Sequence, residues 1–188
     1  MVTRCVVPPI GLAVSLADAI AAARAEGAGM DDQVEKAVRF YTDEVEALTR
    51  RAIVEQTWEV TLDAFPIGMR GGAGAFELDN PPVIAVLQIS FYDPDGQLRL
   101  LDPQDYQVDR LSEPGYVVPA RGRTWPVSEE RVHAVSLRYT AGYGADYSAV
   151  PEGIQGYILG RVYEHFAPEG TRTSETLHRL LDRYKVYG

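Results

Sequence analysis

Cysteine is nearly missing from this sequence, with Cys5 alone among 188 residues. A lone thiol can close no intrachain disulfide, and without a CxxC pair neither structural zinc nor dithiol redox chemistry has a foothold. Such usage suits synthesis in a reducing cytoplasm. Lysine is almost as scarce, found at Lys36 and Lys185 alone, and the arginines are scattered. Acidic residues outnumber Lys and Arg by 27 to 18, so the formal net charge is −9. A protein that grips DNA by its phosphates needs clustered cations, so tight nucleic-acid binding is disfavoured. The same charge is compatible with a surface past which DNA slides, because like charges prevent a lasting contact. Long apolar runs are missing too, and none approaches the ~20 residues that span a bilayer. The opening Met1-Val-Thr-Arg-Cys5-Val-Val-Pro-Pro9 is too short in apolar residues for a signal peptide. The expectation is a soluble, unprocessed chain with no membrane role.

Catalytic signatures are equally sparse. The stretch Gly68-Met-Arg-Gly-Gly-Ala-Gly74 lacks the GK[ST] ending of a phosphate-binding loop and reads as a surface loop. Asp93-Pro-Asp95-Gly96 has the wrong spacing for a calcium loop and no glutamate at the required distance, so it reads as a β-turn. His133, His165 and His178 are far apart, with no HxxxH or HExxH between them. His165 is expected on the rim of its helix and His178 on the exposed side of the last one. No GxSxG is present, and Ser128 belongs to a local turn. Asp102, Asp105 and Asp109 are near neighbours, but Asp102-Pro-Gln-Asp105 is ordinary turn composition. No catalytic residue, metal ligand or cofactor site is assigned.

What is present is patterning in three zones: helical over 1–51, β over 53–143 and helical over 151–188, read together as one domain. Ser15-Leu-Ala-Asp18 resembles a capping box and opens an Ala-rich helix expected to stop at Gly27 or Gly29. Asp31 or Asp32 is expected to cap a second helix. Its apolar stripe is Val34, Ala37, Val38, Tyr41, Val45 and Leu48. The period then changes. Val54, Gln56, Trp58, Val60 and Leu62 alternate with Glu55, Thr57, Glu59, Thr61 and Asp63, which predicts a half-buried strand with the second set facing solvent. Further strands are predicted at Phe76–Leu78, Val83–Tyr92, Leu98–Leu101, Tyr106–Val108, Tyr116–Val118 and Val135–Tyr139. Hairpin-length connections make the sheet antiparallel, or a small sandwich. Pro151 suits the first position of a third helix, on which Ile154, Ile158, Val162 and Phe166 recur every fourth residue and Tyr157, Leu159 and Tyr163 broaden the face. Pro168 and Gly170 break the chain before a last helix, capped by Thr173 or Ser174, that carries Leu177, Leu180, Leu181 and Tyr184. The fold class expected is α+β, an N-terminal helical hairpin and C-terminal helices flanking an antiparallel sheet or small sandwich.

Several segments form an ordered series along the chain. It starts with Pro8-Pro9 before Val14-Ser-Leu-Ala-Asp-Ala19, and Arg50-Arg51-Ala-Ile-Val-Glu-Gln56-Thr-Trp58-Glu-Val-Thr-Leu62-Asp-Ala-Phe65-Pro66. Glu77-Leu-Asp-Asn-Pro-Pro82, Tyr92-Asp-Pro-Asp-Gly96 and Leu101-Asp-Pro-Gln-Asp-Tyr106-Gln-Val108 follow. Trp125-Pro126, Arg138-Tyr-Thr-Ala-Gly142-Tyr-Gly144 before Val150-Pro151, and Leu181-Asp-Arg-Tyr184-Lys-Val186 complete it. Taken in order, these segments resemble the head–tail connector (adaptor) family of tailed phages, prophages and gene transfer agents. Each motif is weak alone, and the specificity lies in their order over most of the chain. The Gly68–Gly74 stretch is longer and richer in glycine than that family leads one to expect.

The resemblance implies a structural virion component and no enzyme. It implies a ring of about twelve copies under the portal, extending the DNA channel and presenting a surface to the next tail or stopper component. The place implied is the neck of a phage-like particle assembled in the bacterial cytoplasm. The partners implied are the portal protein, neighbouring copies and the next tail component, with DNA passing through without tight binding. Within the chain, Leu177, Leu180, Leu181, Tyr184, Lys185, Val186 and Tyr187 are the expected portal-docking set, because a short apolar terminal helix must pack on something to stay ordered. The competing expectation is that this segment folds back on the helix after Pro151. Alternatives of other kinds are a tail-completion or neck protein, a ligand-binding β-sandwich using Trp58 and Trp125, and a small hydrolase using the Asp-rich β zone.

Overall fold

The structure, a computed structural model, describes residues 1–68, 74–168 and 176–186. The fold is α+β with antiparallel sheets. It divides into two compact units: Met1–Pro8 with Gln56–Ala141, and Pro9–Glu55 with Gly142–Gly188.

The first unit is built from two sheets. Strands β1 (Val2–Val7), β2 (Gln56–Leu62), β3 (Phe76–Leu78), β4 (Val83–Tyr92), β5 (Leu98–Leu100), β6 (Tyr106–Asp109), β7 (Gly115–Pro119) and β8 (Val135–Ala141) follow in chain order. Five of them make one sheet in the order β1-β2-β8-β4-β5, and three make the other in the order β3-β7-β6. Every pairing in both sheets is antiparallel. Between the sheets lie Val60, Phe76, Leu78, Ile89, Val117, Leu137 and Tyr139, all fully buried. An aromatic cluster joins them, with Trp125 stacked on Phe65 at 5.3 Å between ring centres and Phe76 edge-on to both. The turn Asp93–Gly96 closes the β4–β5 hairpin as expected. The Asp93 carboxylate accepts from the Asp95 and Gln97 amides, and Gly96 takes φ +76, which a Cβ would disfavour.

Strand β1 was not legible in the sequence, where Val2–Val7 has no alternation. It pairs along β2 and makes it an interior strand, which changes the solvent-face expectation. Glu59 is 4% exposed, sheltered by residues of both flanking strands, and is not the surface residue that alternation predicts.

The second unit is helical: α1 (Leu16–Ala23), α2 (Asp31–Thr49), α3 (Glu152–Phe166) and a C-terminal 3₁₀ helix (Leu177–Tyr184). Ser15 caps α1 as expected, its hydroxyl accepting from the Asp18 amide and donating to the Asp18 carboxylate. The helix ends earlier than Gly27 or Gly29. Arg24 turns left-handed at φ 53 and the Ala25 amide reaches back to the Ile20 carbonyl. That is a Schellman closure without glycine, and Gly27 and Gly29 serve the link to α2. Nor do Asp31 and Asp32 cap α2. Met30 is the N-cap, with no side-chain bond, and both aspartates sit in the first turn, where the helix dipole favours them. The expected stripe is buried from Val34 to Val45, whereas Leu48 is 39% exposed. Thr42 and Thr49 take buried places instead, their hydroxyls satisfied by the Val38 and Val45 carbonyls. On α3, Pro151 is the N-cap, immediately before the first helical residue. The last segment is a 3₁₀ helix where an α-helix was expected. The proposed caps Thr173 and Ser174, the break at Gly170, most of the Gly68–Gly74 loop and Tyr187 lie outside the described residues.

Candidate partner-binding surfaces

The C-terminal segment folds onto its own unit, and three glycines explain how. At 3.0 residues per turn, a 3₁₀ helix aligns every third side chain. One ridge is therefore Leu177–Leu180–Arg183 and the next His178–Leu181–Tyr184. Gly160, Gly156 and Gly153 of α3 run along the first ridge in reverse order. A Cβ at Gly160 would stand 2.8 Å from Leu177 Cδ2, one at Gly156 3.9 Å from Leu180 Cδ1, and one at Gly153 3.4 Å from Arg183 Nη2 and 3.0 Å from Tyr184 Oη. Glycine inside a helix costs about 1 kcal/mol relative to alanine, so three in one helix need a packing reason, and this groove supplies it. Leu181 is 1% exposed and Tyr184 9%.

Polar groups hold the same segment at both ends. Val186 donates its amide to the Thr49 carbonyl at 3.0 Å, and Arg51 Nε donates to the Tyr184 carbonyl. Arg183 lies over the Tyr184 ring and donates to its hydroxyl. Farther along, Tyr157 donates its hydroxyl to Glu44 Oε1 at 3.2 Å, and His178 Nδ1 lies 3.5 Å from the Tyr157 hydroxyl oxygen. Burial, then the Glu44 charge, pushes the Tyr157 hydroxyl up to about 12. Arg161 completes the group. It pairs with Glu164 at 2.7 Å and Glu44 at 3.4 Å, and these partners outweigh its burial and raise its pKa.

The expected docking set thus divides. Leu181 and Tyr184 spend their surface inside the helical unit, as does much of Leu177. Leu180 remains 42% exposed, and Lys185 and Val186 are half-buried. Lys185 is held to Asp182 at 2.8 Å. The sequence signal that went unread is the spacing of Gly153, Gly156 and Gly160 on one helix face.

The β unit carries a second charged feature. Glu59 accepts from Arg138 Nε at 2.7 Å, Arg4 Nη2 at 2.6 Å and Ser136 Oγ at 3.1 Å. Burial alone would raise this carboxyl. The arginine and serine hydrogen bonds outweigh it and hold the group below its ordinary value.

The residues weighed for chemistry have structural duties. Asp102 caps a 3₁₀ turn by accepting from the Gln104 amide. Asp109 accepts from the Leu111 and Ser112 amides and the Ser112 hydroxyl, which hold its carboxyl down at about 2. His165 lies on the exposed rim of α3 with Nδ1 3.1 Å from the Tyr41 hydroxyl. His178 is exposed yet touches Tyr157. Among the described residues no three His, Cys, Asp or Glu side chains gather as metal ligands, and no helix is long and apolar enough to cross a membrane. Trp125 is committed to its aromatic cluster and donates Nε1 to the Gly74 carbonyl at 2.8 Å.

No protein-family model matches this chain, and no curated protein matches it. Solved structures do. A chain from the virion of a native gene transfer agent (GTA) particle is similar at TM-score 0.80 and 18% identity, over 100% of this chain and 97% of the other. A chain from the neck of an empty GTA particle, computed with C6 symmetry, gives the same values. A chain from the neck of a native GTA particle, computed with C12 symmetry, is similar at TM-score 0.71 and 19% identity, with the same coverage. Across its full length, this chain has the fold of proteins found in GTA particles.

Proposed function

We propose that this chain is a structural subunit of the neck of a phage-like particle and has no catalytic role. The observation that carries the reading is the end-to-end likeness to GTA chains at TM-scores of 0.71 to 0.80, two of them from necks. The finer reading is an adaptor. Copies form a ring between the portal and the next tail component and extend the DNA channel, about twelve in number. The C6 and C12 symmetry of the similar necks supports the ring, and the ordered motif series supports the adaptor family. A net charge of −9 suits a conduit that DNA crosses without sticking. Portal contact falls to the C-terminal segment, through the exposed Leu180, the half-buried Lys185 and Val186, and Tyr187, with Leu177, Leu181 and Tyr184 holding the segment in place.

The test is localisation in intact particles. Antibody-gold labelling of an epitope-tagged chain should decorate the head–tail junction, and the chain should co-sediment with particles. A chain that stays in the soluble fraction, or labels capsid faces or tail tips, contradicts the reading.

A further inference from the structure

Among the described residues, the five-stranded sheet ends in two edge strands, β1 paired with β2 alone and β5 with β4 alone. All four pairings across the sheet are antiparallel. Directions therefore alternate, and the two edge strands, four places apart, run the same way.

The pairing register also assigns faces. Arg4, Glu59 and Arg138 lie in one row, and Thr61, Ser136, Ser90 and Leu100 in the next, all on the face away from the buried core. Val2 opposes Thr61 and Val7 opposes Thr57, while Leu98 opposes Tyr92, which puts these residues on the same outer face. The exposed aliphatics of both edges thus share one face: Val2 at 52% and Val7 at 50% on one edge, Leu98 at 61% and Leu100 at 68% on the other. Cys5, opposite Trp58, and Arg99, opposite Phe91, share the core face.

The edges also differ in charge. Val2–Val7 holds Arg4 and no acid. The stretch from Asp93 to Asp105, with β5 at its middle, has four aspartates against one arginine. Arg99 is bound to Asp93 at 2.9 Å, and Asp105 to Arg123 at 3.4 Å, which leaves Asp95 and Asp102 to set the local field.

We infer that β5 of one copy adds edge-to-edge to β1 of the next, as a parallel strand pair, so that the sheet continues from subunit to subunit around the ring. The occupant of each edge is a second copy of this chain. The contact is head-to-tail, the class of interface that generates rings when its rotation closes. Neighbours in a many-fold ring are related by a small rotation, which preserves strand direction, so two edges running the same way meet in parallel. Joining them sets Leu98 and Leu100 beside Val2 on the outer face and an acidic edge beside Arg4. The bulge after Cys5, Arg4 on β1 and the brevity of β5 are devices that keep an edge from pairing indiscriminately. This inference rests on the ring reading and adds which surfaces close the ring.

Cys5 makes the test direct, because its thiol is exposed on the β1 edge. Arg99→Cys places a second thiol on β5, on the same face. A second variant, Cys5→Ser with Arg4→Cys and Leu100→Cys, probes the outer face. Neighbouring strands lie ~4.8 Å apart, within reach of a disulfide or a short bis-maleimide. Particles carrying each variant are imaged by electron microscopy, treated with cross-linker and run on denaturing gels without reductant. The expected result is a ladder from dimer to full ring in at least one variant, lost when Arg99→Cys is combined with Cys5→Ser. Rings in the micrographs with no ladder from either variant overturn the edge pairing and leave the ring standing. No ring in unmodified particles overturns both.

Discussion

Gly160 exists to admit Leu177, since a Cβ on this α3 residue would stand 2.8 Å from the leucine's Cδ2. Gly160→Leu should therefore lift the C-terminal 3₁₀ helix from its groove. Overpacking of this kind costs about 1–3 kcal/mol. Hydrogen exchange over 177–184 should accelerate sharply, while amides of the β unit keep their protection. Unchanged protection of 177–184 would show that the segment does not need the groove.

Gly142 is constrained by backbone on both counts. It sits at φ +133, and a Cβ there would lie 2.6 Å from Glu55 N and from Val54 C. No side chain can rotate away from that contact. Gly142→Ala should destabilise the helical unit by more than about 2 kcal/mol. Denaturant unfolding checks it, and a midpoint within error of the parent would contradict it.

Glu59 should make the β unit acid-sensitive. Its folded pKa is lowered from the ordinary 4.5, so its contribution is fully present above that value and is lost as pH falls through the folded pKa. Glu59→Gln should lower stability at pH 7 by about 1.5–3 kcal/mol, the range for hydrogen bonds to a charged group. It should also flatten the loss of stability below about pH 4.5. Thermal melts from pH 3 to 8 report both, and parallel curves for parent and variant would exclude the role.

Much of this was legible in the sequence where one period and one partner decide burial. The α2 stripe from Val34 to Val45, the Ser15 cap, the Asp93–Gly96 turn and the Ile154–Ile158–Val162 face are local patterns, and the structure keeps them. What escaped was set by distant residues. Val2–Val7 becomes a strand because β2 offers it an edge, and its own pattern does not announce it. Glu59 is buried because Arg4 and Arg138 arrive from both flanking strands, 55 and 79 residues away in sequence. The terminal segment read as an α-helix because its leucines fit both periods. The glycine groove, which aligns with every third residue, favours the tighter helix. In the candidate docking set, the seven residues were visible as apolar, but which of them face inward depends on that groove.

Leu180 and Leu181 are sequence neighbours with opposite fates, at 42% and 1% exposure, and substitution should separate their roles. Leu181→Ala should cost about 2–5 kcal/mol of helical-unit stability. Leu180→Asp should change stability by less than about 0.5 kcal/mol and weaken portal binding at least tenfold. Pull-down and calorimetry with the portal protein check the pair. Full binding by Leu180→Asp would remove the segment from the portal interface.

The most direct test of the neck-subunit reading is electron microscopy of the purified chain mixed with a cognate portal protein. The account predicts a ring of this chain stacked coaxially on the portal ring, with an open central channel. A chain that leaves the portal undecorated and persists as a monomer or a two-fold dimer would contradict it.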